Sequence, residues 1–444
     1  MASDSSRAKG FLPPALTILL LLSLSLRLFW ALSRPADAAS IDVLPDQREY
    51  LSIARNLLAG NGFEYFDPRF GQTVRAFRTP GYPLFLAACR TSVHAARAVQ
   101  AVIDTCTVLA AFLLASATYR EKGRSSQSRC IPAPPLLAAA LVAFNPFLIY
   151  FSALLLSETL FTAMLAWAMV LLIWPRREEA DRYAFVCRVS GLLLLALSVL
   201  VRPSAVALPV LLGIWSALVN RREPSAYQGV RRPAARRQFV NSPWQMSVTA
   251  AMLVLLSLLP WAVRNRNVLG RWIWLDTNSG FTLYDAYNPG ATGASNQSFV
   301  SREPELAKLG EVDRSDYLAG KAKEYVRGHP GRVAVLIGKK LLRTWSPIPL
   351  SSEYGKPGLR LIALAYSAPF DILVLAGLIW GNVPRSAKVY LVAPAIYLSV
   401  VHALTVGSLR YRIPAEPALA VIAAGVSSVC RVADNRCDLP GRDR

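Results

Sequence analysis

Residues 11–33 read FLPPALTILLLLSLSLRLFWALS, and this run decides the class of the chain. A helix needs about 20 apolar residues to cross a hydrocarbon core of about 30 Å, and the run supplies them with one internal charge, Arg27. Arg7 and Lys9 before it, and the small residues Ala36 to Ala38 after it, imitate a cleaved secretory signal. The apolar run exceeds the usual h-region of about 7–15 residues, so a retained first span is expected. Working outward, apolar runs predict about ten spans, over residues 11–33, 97–119, 134–152, 154–174, 186–201, 203–219, 246–263, 361–380, 388–404 and 415–430. The expected fold class is all-α: a single polytopic transmembrane helical bundle over residues 1–444.

The bulk numbers agree. Of the 444 residues 53% are hydrophobic and 17% charged, with mean hydropathy +0.34, which excludes an ordinary soluble domain. The net charge of +21, from 49 Lys and Arg against 28 Asp and Glu, would suggest nucleic acid in a soluble protein. Here the excess falls in short loops between apolar runs, at residues 120–129, 176–182 and 221–237. That pattern marks cytoplasmic loops, so no nucleic-acid partner is expected. The alternation then places two long polar segments, 34–96 and 264–360, on the opposite side. Six cysteines without a CxxC pair and three scattered histidines give neither a disulfide framework nor a metal motif.

The first long loop contains LPDQREYLSIARNLLAGNGFEYFDPRFGQTVRAFRTPGYPLFLA, residues 44–87. Pro45 suits a first helical turn; Tyr50, Ile53, Ala54, Leu57 and Leu58 recur at helical spacing until Gly60-Asn61-Gly62. An amphipathic helix on the membrane face is expected, with Asp46 and Tyr50 on one side. The later part of the second loop has helical periodicity but too little apolar length to span, and is expected to form one or two helices on the outer surface of the bundle.

Charged groups at membrane depth are costly, so their positions carry information. Asp46, Ser157-Glu158, Arg202-Pro203 and the segment Gly407–Pro417 all fall at the same end of the predicted bundle. Each has a plain structural reading. D-Q-R-E at 46–49 fits a capping box; Glu158 fits a solvated turn; Arg202, Arg410 and Arg412 fit arginines reaching for the interface. Arg27 and Asp104, inside apparent spans, fit either a structural ion pair or a cavity lining. Together, carboxylates beside arginines suit acid-base work next to an anion, because a carboxylate can take a hydroxyl proton while guanidinium forks hold phosphate. No Walker or dinucleotide loop accompanies them, which favours a lipid phosphate over a soluble nucleotide.

The motifs resemble a known family. D-x-x-x-Y-x-x-x-A-x-x-L-x-x-G-x-G-F from Asp46 to Phe63 and R-x-P-G-Y-P-L-F-L-A from Arg78 to Ala87 resemble the first loop of bacterial GT-C membrane glycosyltransferases, the superfamily of protein mannosyltransferases and lipid A aminoarabinose transferases. S-E-T-L-F at Ser157, V-R-P at Val201, P-W-x-x-R-N at Pro260, G-x-x-L-Y-x-x-x-N-P-x-A-T-G at Gly280 and R-Y-R-x-P at Arg410 extend the resemblance in order along nearly the whole chain. It implies transfer of a sugar from a polyprenyl-phosphate carrier, with no obligatory cofactor and no metal, at the periplasmic face of a bacterial inner membrane. It implies Asp46 as the catalytic general base or the carboxylate that positions the acceptor, and Glu158 as a second catalytic-site acid that helps to bind the acceptor or sugar. Arg202, Arg264, Arg410 and Arg412 are its candidates for the carrier phosphate, and Tyr50, Arg78, Tyr82 and Tyr411 for substrate binding. Gln47 stands where the protein mannosyltransferases carry a further acid, which leaves a glycan or lipid acceptor at least as well supported as a protein. The competing readings are a transporter or flippase of lipid-linked saccharides, against which stands the lack of a visible repeat, and an oligosaccharide ligase.

Overall fold

The computed structural model describes residues 13–119, 134–173, 181–221, 242–350 and 357–427. The three basic loops fall almost wholly outside the described residues, as do Cys130, Cys430, Cys437 and the ends of the predicted first and last spans.

The chain is a multi-pass helical membrane protein. A helix forms in each predicted apolar run, but among the described residues six are long and apolar enough to cross a membrane alone: Pro14–Leu32, Val93–Thr118, Arg182–Val201, Pro243–Leu269, Pro357–Ile379 and Arg385–Leu404. The bent pair Pro134–Ala143 and Pro146–Ser152 makes a seventh if counted as one span. The expectation of about ten therefore exceeds what length supports. Glu158–Ile173 has 16 residues, about 24 Å at 1.5 Å per residue, and Glu416–Ala424 has nine. Both are apolar because they are interior: every residue of Glu416–Ala424 is buried. Gly377 lets the Pro357–Ile379 helix approach it, since a Cβ there would stand 2.1 Å from the Ile422 carbonyl oxygen.

The bend between Pro134–Ala143 and Pro146–Ser152 is 49° and has an identifiable cause. Pro146 has no N–H to offer the carbonyl four residues back, at Val142. Arg27 supplies the missing donors: Nη2 donates to Val142 O at 3.1 Å and Nη1 to Ala143 O at 2.7 Å. Its Nε donates to Asp104 Oδ2 at 2.6 Å, and both side chains are fully buried. Of the two sequence readings the structural ion pair is realised, and its purpose is local: it stabilises a broken helix in a medium with no water to satisfy the break. Asn145 then starts the next segment, its Oδ1 accepting from Phe147 N and Leu148 N.

At one end of the bundle the two long loops form a layer. The expectation of an all-α chain needs one correction: Tyr65–Asp67 and Gln72–Val74 pair as a short antiparallel hairpin. The β-branched and aromatic residues of these three-residue runs pair across a turn that Gly71 closes at φ 62°. The second loop supplies the surface helices Asn278–Ala286, Glu311–Gly328 and Pro330–Thr344. An aromatic core joins the loops, with Phe70 and Phe77 each edge-on to Phe281 at 6.2 and 6.1 Å. The Glu311 carboxylate accepts from Arg75 N, Ala76 N and Thr277 Oγ1, closing the seam.

Breaking one partner of a buried pair leaves an uncompensated charge, at about 3–5 kcal/mol. Arg27→Met should therefore lower the thermal unfolding midpoint of the purified protein markedly, and adding Asp104→Leu should restore part of the loss. A single variant as stable as wild type would show that the pair does not hold the bend.

Candidate active site

The first-loop helix runs Pro45–Leu58, and its N-cap is Leu44, which makes no side-chain cap. The capping-box reading of D-Q-R-E is thus not realised. Asp46 turns instead to two arginines, Oδ1 accepting from Arg78 Nη2 and Oδ2 from Arg410 Nη2 at 3.0 Å. Glu49, one turn on, accepts from Arg78 Nε at 2.8 Å and from Arg69 Nη2 at 3.0 Å. Arg410 Nε also donates to Glu158 Oε1 at 2.7 Å, and Arg202 Nη1 lies 3.2 Å from the same oxygen. Arg69 completes the series by reaching Asp67 Oδ2 at 2.8 Å.

These contacts make one continuous line of alternating charge: Arg202, Glu158, Arg410, Asp46, Arg78, Glu49, Arg69, Asp67. Five separate parts of the chain contribute. Glu158 opens its helix at the first turn, where the macrodipole favours a carboxylate. Arg202 sits at the break before Pro203, and Arg410 in the short turn Leu409–Tyr411. Gln47 aligns two of these parts, its Oε1 accepting from Leu155 N at 2.8 Å in the turn that leads to Glu158. The departure from the second acid of the mannosyltransferases therefore has a structural use. Asp46 remains 28% exposed and Glu158 is 1% exposed, so Asp46 is the solvent-accessible one of the two carboxylates.

Burial pushes the Asp46 carboxyl up, but Arg78 and Arg410 outweigh it and hold it well below the usual carboxylate range. A second acid, which the sequence reading missed, behaves in the opposite way. Asp276, in the loop after Pro243–Leu269, is pushed up to about 6 by burial, against the opposing pull of nearby Arg78 and of the Ser279 and Asn278 backbone. Nothing in the local sequence WIWLDTNSG separates it from an ordinary turn aspartate.

The other predicted residues divide. Tyr50 is buried, edge-on to Tyr82 at 4.9 Å, with the Arg78 guanidinium 5.2 Å from its ring. Tyr82 is fully buried and donates to Gln100 Oε1 at 2.6 Å, so it supports the helix wall rather than facing a substrate. Tyr411 is part-exposed and stacks on His402 at 3.8 Å, with Arg202 and Arg410 5.2 and 5.4 Å from its ring. Two arginines do not join the line. Arg264 donates to the carbonyls of Arg75 and Phe63, tying Pro243–Leu269 to the first loop. Arg412 faces inward to Glu416 at 3.1 Å and Asp371 at 3.4 Å, because it lies two residues past Arg410 in a tight turn and points to the opposite side.

Arg410 also lines a second feature, an apolar groove with a cavity volume of about 70 Å³. Its walls are Phe147, Tyr150, Phe151, Leu359, Ile362 and Ala363, and its polar end is Arg343, Ser408 and Arg410. One lining residue, Ile362, is 55% exposed and lies in Pro357–Ile379, a helix long and apolar enough to cross a membrane. Arg343 was not legible in the basic stretch GKKLLRTW, where it looks like any other cation of an amphipathic helix.

Residues 77–285, a little under half of the chain, match the model of the PIG-U family, described as a GPI transamidase subunit. No curated protein sequence matches the chain. Among solved structures the chain is similar to the apo oligosaccharyltransferase of Archaeoglobus fulgidus at TM-score 0.51 and 13% identity, over 97% of this chain and 52% of that one. Others are AglB of the same organism in complex with an inhibitory peptide and a dolichol-phosphate (TM-score 0.49, 12% identity, 97% and 52% covered) and ArnT from Cupriavidus metallidurans bound to undecaprenyl phosphate (TM-score 0.38, 14% identity, 94% and 78% covered). The chain spans about half the length of the archaeal enzyme. It has the GT-C fold.

A carboxylate with a depressed pKa contributes stability above its unfolded value and loses it as pH falls below that value. For Asp46 the unfolded value is 3.8. The thermal midpoint of wild type should therefore fall as the pH drops below about 4. Asp46→Asn should start lower at pH 7 and show a shallower acid limb; identical acid limbs would remove Asp46 from the network.

Proposed function

We propose that this GT-C-fold membrane protein is a glycosyltransferase that moves a hexose or pentose from a polyprenyl-phosphate carrier to a glycan, lipid or protein acceptor, at the periplasmic face of a bacterial inner membrane. One observation carries this reading: Arg410 donates to both Asp46 and Glu158 and also closes the polar end of the apolar groove. A carrier lying in that groove would place its chain against Phe147, Leu359 and Ile362 and its phosphate beside Arg410 and Arg343. The first-loop motifs around Asp46 support the same assignment.

The chemistry follows from the competition for Arg410. While both arginines hold it, Asp46 is ionised but a weak base. A carrier phosphate draws Arg410 away from Asp46 and raises the basicity of the carboxylate as the donor binds. The acceptor oxygen then attacks the anomeric carbon, its proton passes to Asp46, and the bond from that carbon to the phosphate oxygen breaks. The electron pair leaves with the phosphate, which Arg410 and Arg343 stabilise by charge-assisted hydrogen bonds. Glu158, fixed by Arg202, tethers Arg410 through its Nε while the other end of the guanidinium turns from Asp46 to the phosphate.

The test uses the purified protein in lipid with a panel of polyprenyl-phosphate sugars, following loss of the sugar from the carrier. Asp46→Asn should lower kcat by about 10²–10⁴-fold, the usual contribution of a general base, with donor KM little changed. Transfer at the wild-type rate in this variant sinks the assignment. Arg343→Gln should raise donor KM by about tenfold, as expected for one lost hydrogen bond to a charged group. The pH profile separates the two acids: with Asp46 as base the rate stays level down to pH 5, whereas an acid limb near pH 6 that vanishes in Asp276→Asn moves the role to Asp276, whose carboxyl stands at about 6.

A further inference from the structure

Beside the groove, at the same end of the bundle, lies a cluster of cations that the proposed reaction does not use. The Arg34 guanidinium stacks on the Trp30 ring at 3.4 Å, and Arg97 Nη1 donates to the carbonyls of Arg34 and Pro35 at 2.8 and 3.0 Å. Three N–H groups of this patch, Trp30 Nε1, Arg34 Nε and Arg97 Nε, are buried and have no hydrogen-bond partner. Arg97 is 3% exposed.

Arg27, Arg202 and Arg412 are about as deeply buried, and each faces a carboxylate. Among the described residues no carboxylate pairs with Arg34 or Arg97. The patch thus holds two like charges and three donors, and no acceptor except backbone carbonyls already in use. A low-dielectric site of that composition is unfavourable until an anion enters it, because buried donors and buried charge both demand a counterpart. Trp30 is suited to headgroup depth, and it lies on the same helix as Phe29 and Leu32, which are 73% and 48% exposed. Its ring stands 6.0 Å from Tyr150, which lines the groove.

We propose that Trp30, Arg34 and Arg97 form a phosphate site separate from the charge line, filled by the phosphate of a membrane lipid. Arg34 is its accessible member, part-exposed and able to turn on the Trp30 face, while Arg97 is the fixed member. The same chemistry would accept a free phosphate, and the site does not depend on whether the neighbouring groove holds a carrier.

The test measures bound lipid by native mass spectrometry and the unfolding midpoint, for the full chain in phosphatidylcholine nanodiscs with or without phosphatidylglycerol. A third arm adds inorganic phosphate to the phosphatidylcholine sample. Selective retention of phosphatidylglycerol with a raised midpoint is expected. Arg34→Gln and Arg97→Gln should each weaken it by about tenfold, as for one lost charge-assisted hydrogen bond, while Arg55→Gln on the exposed side of the first-loop helix should not. Stabilisation by inorganic phosphate that both variants abolish would support the site and assign it to a soluble source. Equal retention of both lipids with no effect of phosphate overturns the proposal, and so does undiminished selectivity in Arg34→Gln. Because Arg34 is part-exposed, that variant decides the matter even where Arg97→Gln does not fold.

Discussion

The site depends on one electrostatic constraint: buried carboxylates and guanidiniums must alternate, or the loops that carry them cannot sit at the membrane edge. Unit charges 4 Å apart interact with about 1 kcal/mol in water and about 4 kcal/mol at the effective dielectric of a protein surface. The line from Arg202 to Asp67 gains this attraction at every step, and each interior member has a neighbour of opposite sign on both sides. Removing a member near the middle would leave two partners short at once. The line therefore acts as a single cross-link among five pieces of chain, with Asp46 as its exposed centre.

How far the sequence carried this picture can be argued residue by residue. Apolar length and basic loops were enough for a membrane bundle, and the turn chemistry around Pro45 and Gly60 placed the first-loop helix closely. Span number was not legible, because an interior helix such as Glu416–Ala424 and a spanning helix are both uniformly apolar, and composition alone does not separate burial in protein from burial in lipid. Residue type and position at one end single out Asp46, Glu158, Arg202 and Arg410, the resemblance adds Arg78, and these five converge. Arg412, singled out by position, and Arg264, added by the resemblance, do not, since which way a guanidinium turns depends on carbonyls and carboxylates that can lie far away in the chain. Glu49 was read as half of a cap, and its pairing with Arg69 and Arg78 required the hairpin that brings them together.

The bend at Pro146 and the charge line are linked through the groove. Arg27 and Asp104 permit the helix to break, and the break turns Phe147, Tyr150 and Phe151 into a wall that ends near Arg410. Asn145, which starts the second segment, also donates to Glu416 in the buried network around Arg412. An inward-facing Arg412 thus shapes the cavity from behind, although it touches neither Asp46 nor Glu158.

The contact between Arg410 and Asp46 spans 364 residues of sequence. Loop-closure entropy makes such a contact late to form, after the more local helix pairs have settled. During synthesis, Asp46 and Glu158 emerge long before the guanidinium that bridges them. A chain made only as far as Glu158 thus displays the carboxylates but not the bridge. Assembly order itself becomes a safeguard: the charge line closes only once segments hundreds of residues apart have both been made.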